Sequence, residues 1–409
     1  MAKPLIVKEY ESITADIAGG KALEELKTFA SYEQNWQFLR LAKGGRELKA
    51  QNYVGVIQTK SGVVVEILPK IHGVNANDDT RAILVRMLSA LKYDKYKQLD
   101  FANLKTSPNM PLLEVFISMF ADEVATLAQK GIRSDYIQKE ENSAFLKGKL
   151  LFNEHIKQNL VHKERFFVSY DEYLPNHAEN RLVKATLAYL LKKTKSYKNQ
   201  QRLREYLFVF DEIEISVDVK ADFAKCKNDR NMHHYERALA WCRVFLTNEV
   251  FTPHKGDSVA FALLFPMEKV FEDYVAHGLQ KIYPNLKTQH REHRLIASHD
   301  LFELRPDMYF EDEKIVADTK WKLADGKEVR RGVTQADLYQ LYAYGKKYGA
   351  ASLAIIYPKG PNFDTSYTDW AYCKEGGLAI KLLCFELTKE KSQEKINFEV
   401  LKKEICGEC

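Results

Sequence analysis

The segment from residue 304 to residue 322 constrains the fold most, because its pattern predicts a β-hairpin with charged side chains near its open end. A short apolar run is followed by a polar turn, and residues 314–322 then alternate between two faces. This alternation places Asp318 and Lys320 on the same face of one strand. The hairpin brings Asp307, which follows a proline, to the neighbouring strand.

Two carboxylates and a lysine on adjacent strands fit metal-dependent hydrolysis of a phosphodiester. Asp307 and Asp318 are expected to coordinate Mg²⁺ or Mn²⁺, since hard divalent cations prefer oxygen ligands. The backbone carbonyl of Thr319 lies between the site residues and is a further expected ligand. Lys320 is expected to lie beside the attacking water and the charged phosphate. The alternative, a turn aspartate with a surface ion pair between Asp318 and Lys320, stays open on these residues alone.

A helix is predicted before the hairpin, over residues 266–283, from its apolar residues at helical spacing. Glu272 lies at the edge of the apolar arc, where it can reach a site on the sheet, so it is a candidate third carboxylate. Lys269, Asp273 and Gln280 fall on the far side of this helix.

A second helix is predicted after the lysine strand, because Thr334 can cap it together with Asp337 three residues later. Gln340 and Tyr344 lie one turn apart on this helix and are candidate catalytic residues that position the substrate strand or support the lysine. Residues 351–357 then predict a buried strand.

The order helix, strand, strand, helix, strand with these charges resembles the core of the PD-(D/E)XK nuclease superfamily. The Gln340 and Tyr344 pair is similar to the helix motif of its RecB-like branch. Most of the chain resembles the McrC family, the nuclease subunits of McrBC-type modification-dependent (type IV) restriction systems. The motifs that carry this resemblance are Val65–Ile71, Leu146–Leu150, Asp171–Tyr173, Glu179–Arg181, Lys184–Leu187, Phe271–Glu272, Pro306–Asp307 and Asp318–Trp321.

The resemblance implies a DNA endonuclease subunit that does not act alone. Its implied partner is a McrB-like AAA+ GTPase ring, which recognises modified double-stranded DNA and translocates it. The subunit is expected to bind that ring, stimulate its GTP hydrolysis and cut the DNA. The sequence has no phosphate-binding loop of the G-x-x-x-x-G-K-[ST] type, so this chain is expected to bind no nucleotide itself.

The net charge of +5 permits contact with nucleic acid without demanding it. Four basic residues lie on or after the lysine strand and are the preferred candidates for DNA contact: Lys322, Lys327, Arg330 and Arg331.

Length and composition predict a multidomain α+β protein in three parts. Residues 1–105 are predicted as a mixed β/α region that docks the partner, residues 106–255 as a mainly helical middle domain, and residues 256–409 as an α/β domain of the PD-(D/E)XK endonuclease type. The N-terminus lacks an apolar signal region and no apolar run reaches membrane length, so a cytoplasmic protein without membrane contact is expected.

Several elements of these parts can be read from the sequence. They are a hairpin of residues 52–58 and 63–68, helices over 81–93, 111–130, 180–193 and 232–247, and a strand over 208–217.

Two other functions compete with the restriction subunit. One is an autonomous RecB-like nuclease that cuts with Mg²⁺ and no GTPase. The other is a non-catalytic adaptor that only activates an AAA+ ring. The intact set of Asp307, Asp318 and Lys320 argues against the adaptor, because a site that has lost its function has no chemical reason to keep all three.

Overall fold

The computed structural model describes residues 4–90, 110–162, 164–226, 233–247, 259–322, 324, 327–372, 377–388 and 390–407. These residues form a mixed α/β structure. The ends of the predicted helices at residues 91–93 and 232 lie outside the described residues. None of the described helices is both long enough and apolar enough to cross a bilayer.

The helices within the described residues are α1 Ala15–Ala18, α2 Gly20–Ala30, α3 Asn77–Ser89, α4 Leu112–Lys130, α5 Phe152–Asn159, α6 Ala178–Lys193, α7 Tyr197–Val209, α8 Val219–Lys225, α9 His233–Thr247, α10 Met267–Ile282, α11 Gln335–Tyr348 and α12 Lys391–Cys406. The strands are β1 Leu5–Lys8, β2 Ser12–Ile13, β3 Leu39–Ala42, β4 Glu47–Ala50, β5 Tyr53–Thr59, β6 Val64–Leu68, β7 Asp135–Ser143, β8 Lys149–Leu150, β9 Phe166–Leu174, β10 Val259–Pro266, β11 Lys287–Thr288, β12 Arg294–Ile296, β13 Leu301–Glu303, β14 Met308–Phe310, β15 Ile315–Thr319, β16 Ser352–Pro358, β17 Tyr367–Ala371 and β18 Ala379–Phe385.

The chain folds into two compact units. One unit combines Met1–Val115 with Glu249–Cys409, and the other is Phe116–Asn248. The three-part division of the sequence stays a prediction, but its first and last parts share one unit in the structure.

A four-stranded sheet in the order β1-β6-β5-β10 joins the two ends of the first unit. The predicted hairpin is confirmed as β5 and β6, which pair antiparallel. Strand β10 pairs antiparallel with β5 and leads directly into α10, the helix that carries Glu272. The start of α10 is fixed to the same sheet, because the Met267 amide donates to the Asn52 carbonyl at 3.1 Å and the Asn52 amide donates to Glu268 at 2.9 Å.

A buried ion pair gives the sequence motif Val65–Ile71 a structural role. Glu66 of β6 is fully buried and accepts hydrogen bonds from Arg81 of α3 at 2.9 Å and from the Leu112 amide at 2.7 Å. Removing one partner of such a pair leaves an uncompensated buried charge, which typically costs about 3–5 kcal/mol. The motif around Glu66 therefore connects three elements of the fold.

The second sheet of this unit carries the candidate site and has the order β11-β14-β15-β16-β18-β17. Strand β14 pairs antiparallel with β15, which confirms the predicted hairpin, and β15, β16 and β18 run parallel. Helix α11 packs on one face of the sheet, where Leu341 contacts the core around Leu382. Phe385 of β18 points to the opposite face by alternation and contacts Phe271 of α10 and Phe398 of α12. Cover on both faces accounts for the continuous apolar sequence of β16.

The predicted helices on either side of the hairpin are confirmed as α10 and α11, and the predicted strand over 351–357 is confirmed as β16.

The middle of the chain is largely helical, as predicted, with α4, α6 and α9 at the predicted positions. It also contains a three-stranded sheet in the order β7-β9-β8 that the sequence pattern did not predict. A polar network holds α6 in place: Asn180 donates to the Arg133 and Pro175 carbonyls at 2.8 and 2.6 Å and accepts from Tyr235 at 2.6 Å. The motif around Asn180 is therefore also structural.

The predicted strand over residues 208–217 is wrong. Helix α7 extends to Val209, and the residues that follow form turns. The carbonyls of Asp211 and Ile213 accept hydrogen bonds from Lys184 at 3.0 and 2.5 Å. A side-chain donor thus occupies acceptors that a neighbouring strand would need, and the alternating apolar pattern does not lead to a strand.

The pairing of β5 with β10 makes a prediction about Gly55. This glycine has a φ of 138°, and a Cβ there would overlap the carbonyl oxygen of Leu263 on β10. Gly55→Ala is expected to lower the free energy of unfolding by at least about 2 kcal/mol, because overpacking and backbone strain both act. Chemical denaturation of the full chain measures this. Gly20→Ala is the control, since a Cβ at Gly20 has nothing within 4 Å. Equal stability of both variants would contradict the pairing.

Candidate active site

The two aspartates predicted from the sequence lie side by side at one end of the hairpin. Met308 pairs with Ala317 in the hairpin. Asp307 immediately precedes Met308 and Asp318 immediately follows Ala317, so the two aspartates are neighbours across the two chains. The Thr319 backbone amide and hydroxyl both donate to Oδ2 of Asp307, at 2.7 and 2.8 Å. The register of β14 and β15 and these two hydrogen bonds therefore fix the Asp307 carboxylate against β15.

Lys320 follows β15 directly, and its ammonium forms an ion pair with the Asp318 carboxylate. The Lys320 backbone amide donates to the Ile356 carbonyl at 2.9 Å, so the residue is still tied to the end of β16. Asp318 is only 5% exposed. The structure thus brings Asp307, Asp318, Thr319 and Lys320 together.

Burial is the main influence on the protonation of these groups. It raises the pKa of Asp318 to about 7, with a further increase from the Asp307 charge and an opposing effect of Lys320. Burial also raises the pKa of Asp307, although the hydrogen bonds from Thr319 oppose the rise. For Lys320 burial acts in the opposite direction, but the neighbouring Asp318 carboxylate outweighs it and the pKa is raised.

Glu272 joins the site through two partners on its Oε1 atom. Lys269, one turn earlier on α10, donates to it at 2.7 Å, and the side-chain amide of Gln289 also donates to it. The same Gln289 amide lies 3.4 Å from Oδ1 of Asp307. Burial, followed by the charge of Asp307, raises the pKa of Glu272 to about 8.

The far side of this helix, on which Lys269 and Asp273 were expected, is covered rather than exposed. Lys269 bonds to both Glu272 and Asp273, and Asp273 is buried. Helix α10 packs against α3 and α12 as well as the sheet, so more than one of its faces is covered. An amphipathic pattern with a single apolar arc does not reveal that second contact.

Gln340 and Tyr344 bond to each other but support the chain before Asp307. Gln340 donates to the Tyr344 hydroxyl at 2.9 Å, and that hydroxyl donates to the Arg305 carbonyl at 3.2 Å. Burial raises the pKa of Tyr344, and the charges of Asp318 and Asp307 add to the rise. Both residues sit on α11, whose N-terminus has the predicted capping box of Thr334 and Asp337.

The four basic residues proposed for DNA contact differ in their surroundings. Lys322 pairs with Asp337, and Arg331 forms two hydrogen bonds with Asp369, at 2.6 and 3.0 Å. The Arg331 guanidinium also lies 4.0 Å from the centre of the Tyr367 ring. Lys327 and Arg330 are exposed. The latter two therefore have side chains at the surface, whereas Lys322 and Arg331 are engaged within the chain.

Three residues near the site were not identified from the sequence: Gln289, Lys269 and Glu9. Glu9 is 1% exposed, and its carboxylate accepts from the Trp321 indole at 3.1 Å and from the Lys70 amide at 3.1 Å. Burial raises the pKa of Glu9 to about 7. Trp321 follows Lys320 directly, so this contact links the start of the chain to the site lysine. No local pattern could reveal it, since 312 residues separate the partners.

The donor set suits a hard divalent cation. Carboxylates and the Thr319 carbonyl are the kinds of oxygen ligand that Mg²⁺ or Mn²⁺ prefers. Burial is the main reason that the pKa values of Asp307, Asp318 and Glu272 are raised, and the Asp307 charge adds to the rise for Asp318 and Glu272.

The positions of these groups fit a bound cation less well than their chemistry does. Within the described residues, no three His, Cys, Asp or Glu side chains are placed to hold a metal ion as they stand. Each site carboxylate faces a donor of the chain: Lys320, Thr319, or the pair of Lys269 and Gln289. Cation binding would therefore require exchange of some of these contacts.

Comparison with solved structures finds the same fold in a restriction complex. A chain from a refined half-complex, described as a tetradecameric assembly of Thermococcus gammatolerans McrB AAA+ hexamers with bound McrC, has a TM-score of 0.70 and 22% sequence identity. The match covers 98% of this chain and 100% of that chain. A chain from the cryo-EM structure of the Thermococcus gammatolerans McrBC complex has a TM-score of 0.52 and 21% identity, over 70% of this chain and 90% of that chain.

At these identities the solved structures show a shared fold. No curated protein matches the chain at a significant level. The family model for the McrBC 5-methylcytosine restriction system component matches residues 48–358, which is more than half of the sequence and includes Glu272, Asp307, Asp318 and Lys320. The chain belongs to the McrBC 5-methylcytosine restriction system component family.

Proposed function

We propose that this chain is the DNA endonuclease subunit of a McrBC-like restriction complex and hydrolyses phosphodiester bonds with a divalent cation. The observation that carries the proposal is the cluster of Asp307, Asp318 and Lys320 at one end of the paired strands β14 and β15, with Glu272 joined to it. The α/β part that contains the cluster is proposed to be a PD-(D/E)XK nuclease domain.

Asp307 and Asp318 would hold Mg²⁺ or Mn²⁺, with Glu272 as a ligand directly or through water and the Thr319 carbonyl as a further one. A bound cation would supply a nucleophilic water and stabilise charge on the phosphate. The Lys320 ammonium forms an ion pair with Asp318 and would orient the attacking water, whereas deprotonation of that water by Lys320 would require its neutral amine. The same ammonium is placed to stabilise the phosphorane-like charge.

The remaining residues of the site have supporting roles. Tyr344, held by Gln340, fixes the Arg305 carbonyl two residues before Asp307, so this pair would keep Asp307 in place or position the scissile strand. Lys327 and Arg330 are exposed and are the preferred contacts for DNA phosphates. Contact of DNA with Lys322 or Arg331 would compete with Asp337 or Asp369.

The partner is proposed to be a McrB-like AAA+ GTPase ring. The solved structures of the same fold are described as McrB AAA+ hexamers with bound McrC and as the McrBC complex. The sequence of this chain contains no phosphate-binding loop, so motion driven by GTP has to come from another protein. The substrate is proposed to be modified double-stranded DNA, in line with the name of the family.

Cleavage of supercoiled plasmid tests this function. Methylated and unmethylated DNA are incubated with Mg²⁺ and GTP, with and without the McrB-like partner. Cleavage of methylated DNA that requires both the partner and GTP is the expected result. Cleavage by the chain alone would favour an autonomous nuclease. Stimulated GTP hydrolysis without cleavage would favour a non-catalytic adaptor.

Lys320→Ala is predicted to reduce the cleavage rate at least about 100-fold, because removal of one preorganised charge-stabilising group commonly has that effect. Stimulation of the partner's GTPase should remain, which separates loss of chemistry from loss of assembly. Lys287→Ala is the matched control. Lys287 of β11 pairs with Glu311 in the turn of the hairpin, at the end opposite the site. Cleavage by Lys320→Ala at the rate of this control would show that the lysine assignment is incorrect.

The crowded carboxylates predict a dependence of stability on pH in protein stripped of divalent cations. The folded-state pKa values of Asp318 and Glu272 are raised to about 7 and about 8. The folded chain therefore binds these protons more tightly than the unfolded chain, and stability is expected to fall as pH rises from about 5 to about 8. Thermal unfolding in EDTA measures this, and Glu272→Gln should show a smaller fall. Glu24→Gln, at an exposed position of α2, should behave as wild type. Equal falls in all three proteins would contradict the charge crowding.

A further inference from the structure

Gln289 lies between two of the site carboxylates, and neither the family resemblance nor the sequence pattern drew attention to it. Its side-chain amide donates to Oε1 of Glu272 and lies 3.4 Å from Oδ1 of Asp307. Glu272 lies on helix α10, and Asp307 immediately precedes β14. The Gln289 side chain therefore connects these two elements at the site.

The backbone holds Gln289 in this position. Thr288 pairs with Met308 in the sheet, and the Gln289 amide nitrogen donates to the Asp307 carbonyl at 3.1 Å. Gln289 has a φ of 50°, in the left-handed region that is uncommon for residues other than glycine. Such a conformation persists only where the surrounding contacts impose it, and it often occurs near functional sites.

The charges around Glu272 explain why a neutral amide matters there. Lys269 attracts Glu272 toward itself and Asp273, and the negative charge of Asp307 repels Glu272. Lys269 also acts on Asp307, whose pKa it lowers, so the repulsion between Asp307 and Glu272 is the influence that the Gln289 bridge opposes. An amide can bring two carboxylates together without adding a charge that would compete strongly with a cation.

We propose that Gln289 is a positioning residue of the cation site, whose amide holds Glu272 beside Asp307 and so prepares both carboxylates for one divalent cation. This rests on the proposed function, since it assumes that the carboxylates bind a cation. It adds a specific residue, and it predicts an effect on cation affinity that can be measured without any cleavage.

Gln289→Asn separates this role from a purely structural one. Asparagine keeps the amide but is one methylene shorter, so it cannot span both carboxylates. It also tolerates a positive φ better than most residues do, so the loop itself should be at least as stable as in the wild type. A residue needed only for the loop would therefore accept asparagine, whereas a residue that bridges Glu272 and Asp307 would not.

Gln280→Asn is the matched control. Gln280 of α10 donates through its side-chain amide to the Leu286 carbonyl at 3.3 Å and lies 3.5 Å from the Thr288 hydroxyl. It thus supports the same loop through the same kind of group. Both of these contacts are with the loop that precedes Gln289 rather than with Glu272 or Asp307.

The experiment is a calorimetric titration of Mn²⁺ into the full chain, with thermal unfolding as a check on folding. Gln289→Asn is expected to bind Mn²⁺ about tenfold more weakly than wild type, a typical loss when a residue that orients a metal ligand is removed. Gln280→Asn is expected to bind like wild type. Affinity of Gln289→Asn within about twofold of wild type, or tighter, would overturn the proposal, as would an equal loss in Gln280→Asn.

Asp318→Ala separates failure of this inference from failure of the cation site. If Asp318→Ala loses Mn²⁺ binding while Gln289→Asn keeps it, the cation site stands and the role of Gln289 is rejected. If wild type binds no Mn²⁺, or Asp318→Ala binds as well as wild type, the proposed cation site is rejected together with the role of Gln289.

Discussion

Burial of three carboxylates close to one another is the constraint on which the rest of this site depends. Asp307 and Asp318 are neighbours on paired strands, and Glu272 reaches them from a helix. Burial in a medium of low dielectric raises the cost of each charge, and the charge of Asp307 further raises the pKa of Asp318 and of Glu272. The chain compensates with two lysines, two donors of Thr319 and the amide of Gln289. A site of this kind is destabilised until a cation arrives, which is the physical basis for proposing that one binds.

The scaffold brings distant parts of the sequence to this corner. Strand β10 pairs with β5 and leads into α10, so the N-terminal sheet determines where Glu272 lies. Glu9 receives a hydrogen bond from Trp321, which follows Lys320, and Tyr344 reaches the carbonyl of Arg305 before Asp307. The site therefore depends on contacts from both ends of the first unit. Any partner that acts on the N-terminal part of the chain has a short physical connection to the site lysine.

Features that depend on neighbouring residues could be predicted from the sequence, whereas features that depend on contacts between distant residues could not. The alternation after Lys314 and the capping residues Thr334 and Asp337 are local, and the hairpin and α11 form where they predict. The positions of Asp307, Asp318 and Lys320 follow from that hairpin. Gln289 and Glu9 could not be found, because their partners lie 17 to 312 residues away and no periodicity connects them. The strand predicted over residues 208–217 fails for the same reason, since Lys184 satisfies backbone carbonyls that a strand would have used.

The most direct test of the account is a crystal structure of this chain grown with Mn²⁺ and measured for anomalous scattering. The account predicts an anomalous peak within about 2.5 Å of carboxylate oxygens of both Asp307 and Asp318. It also predicts that Lys320 no longer pairs with Asp318 in that structure. Saturating Mn²⁺ with no peak between these aspartates, and with Lys320 still on Asp318, would contradict it.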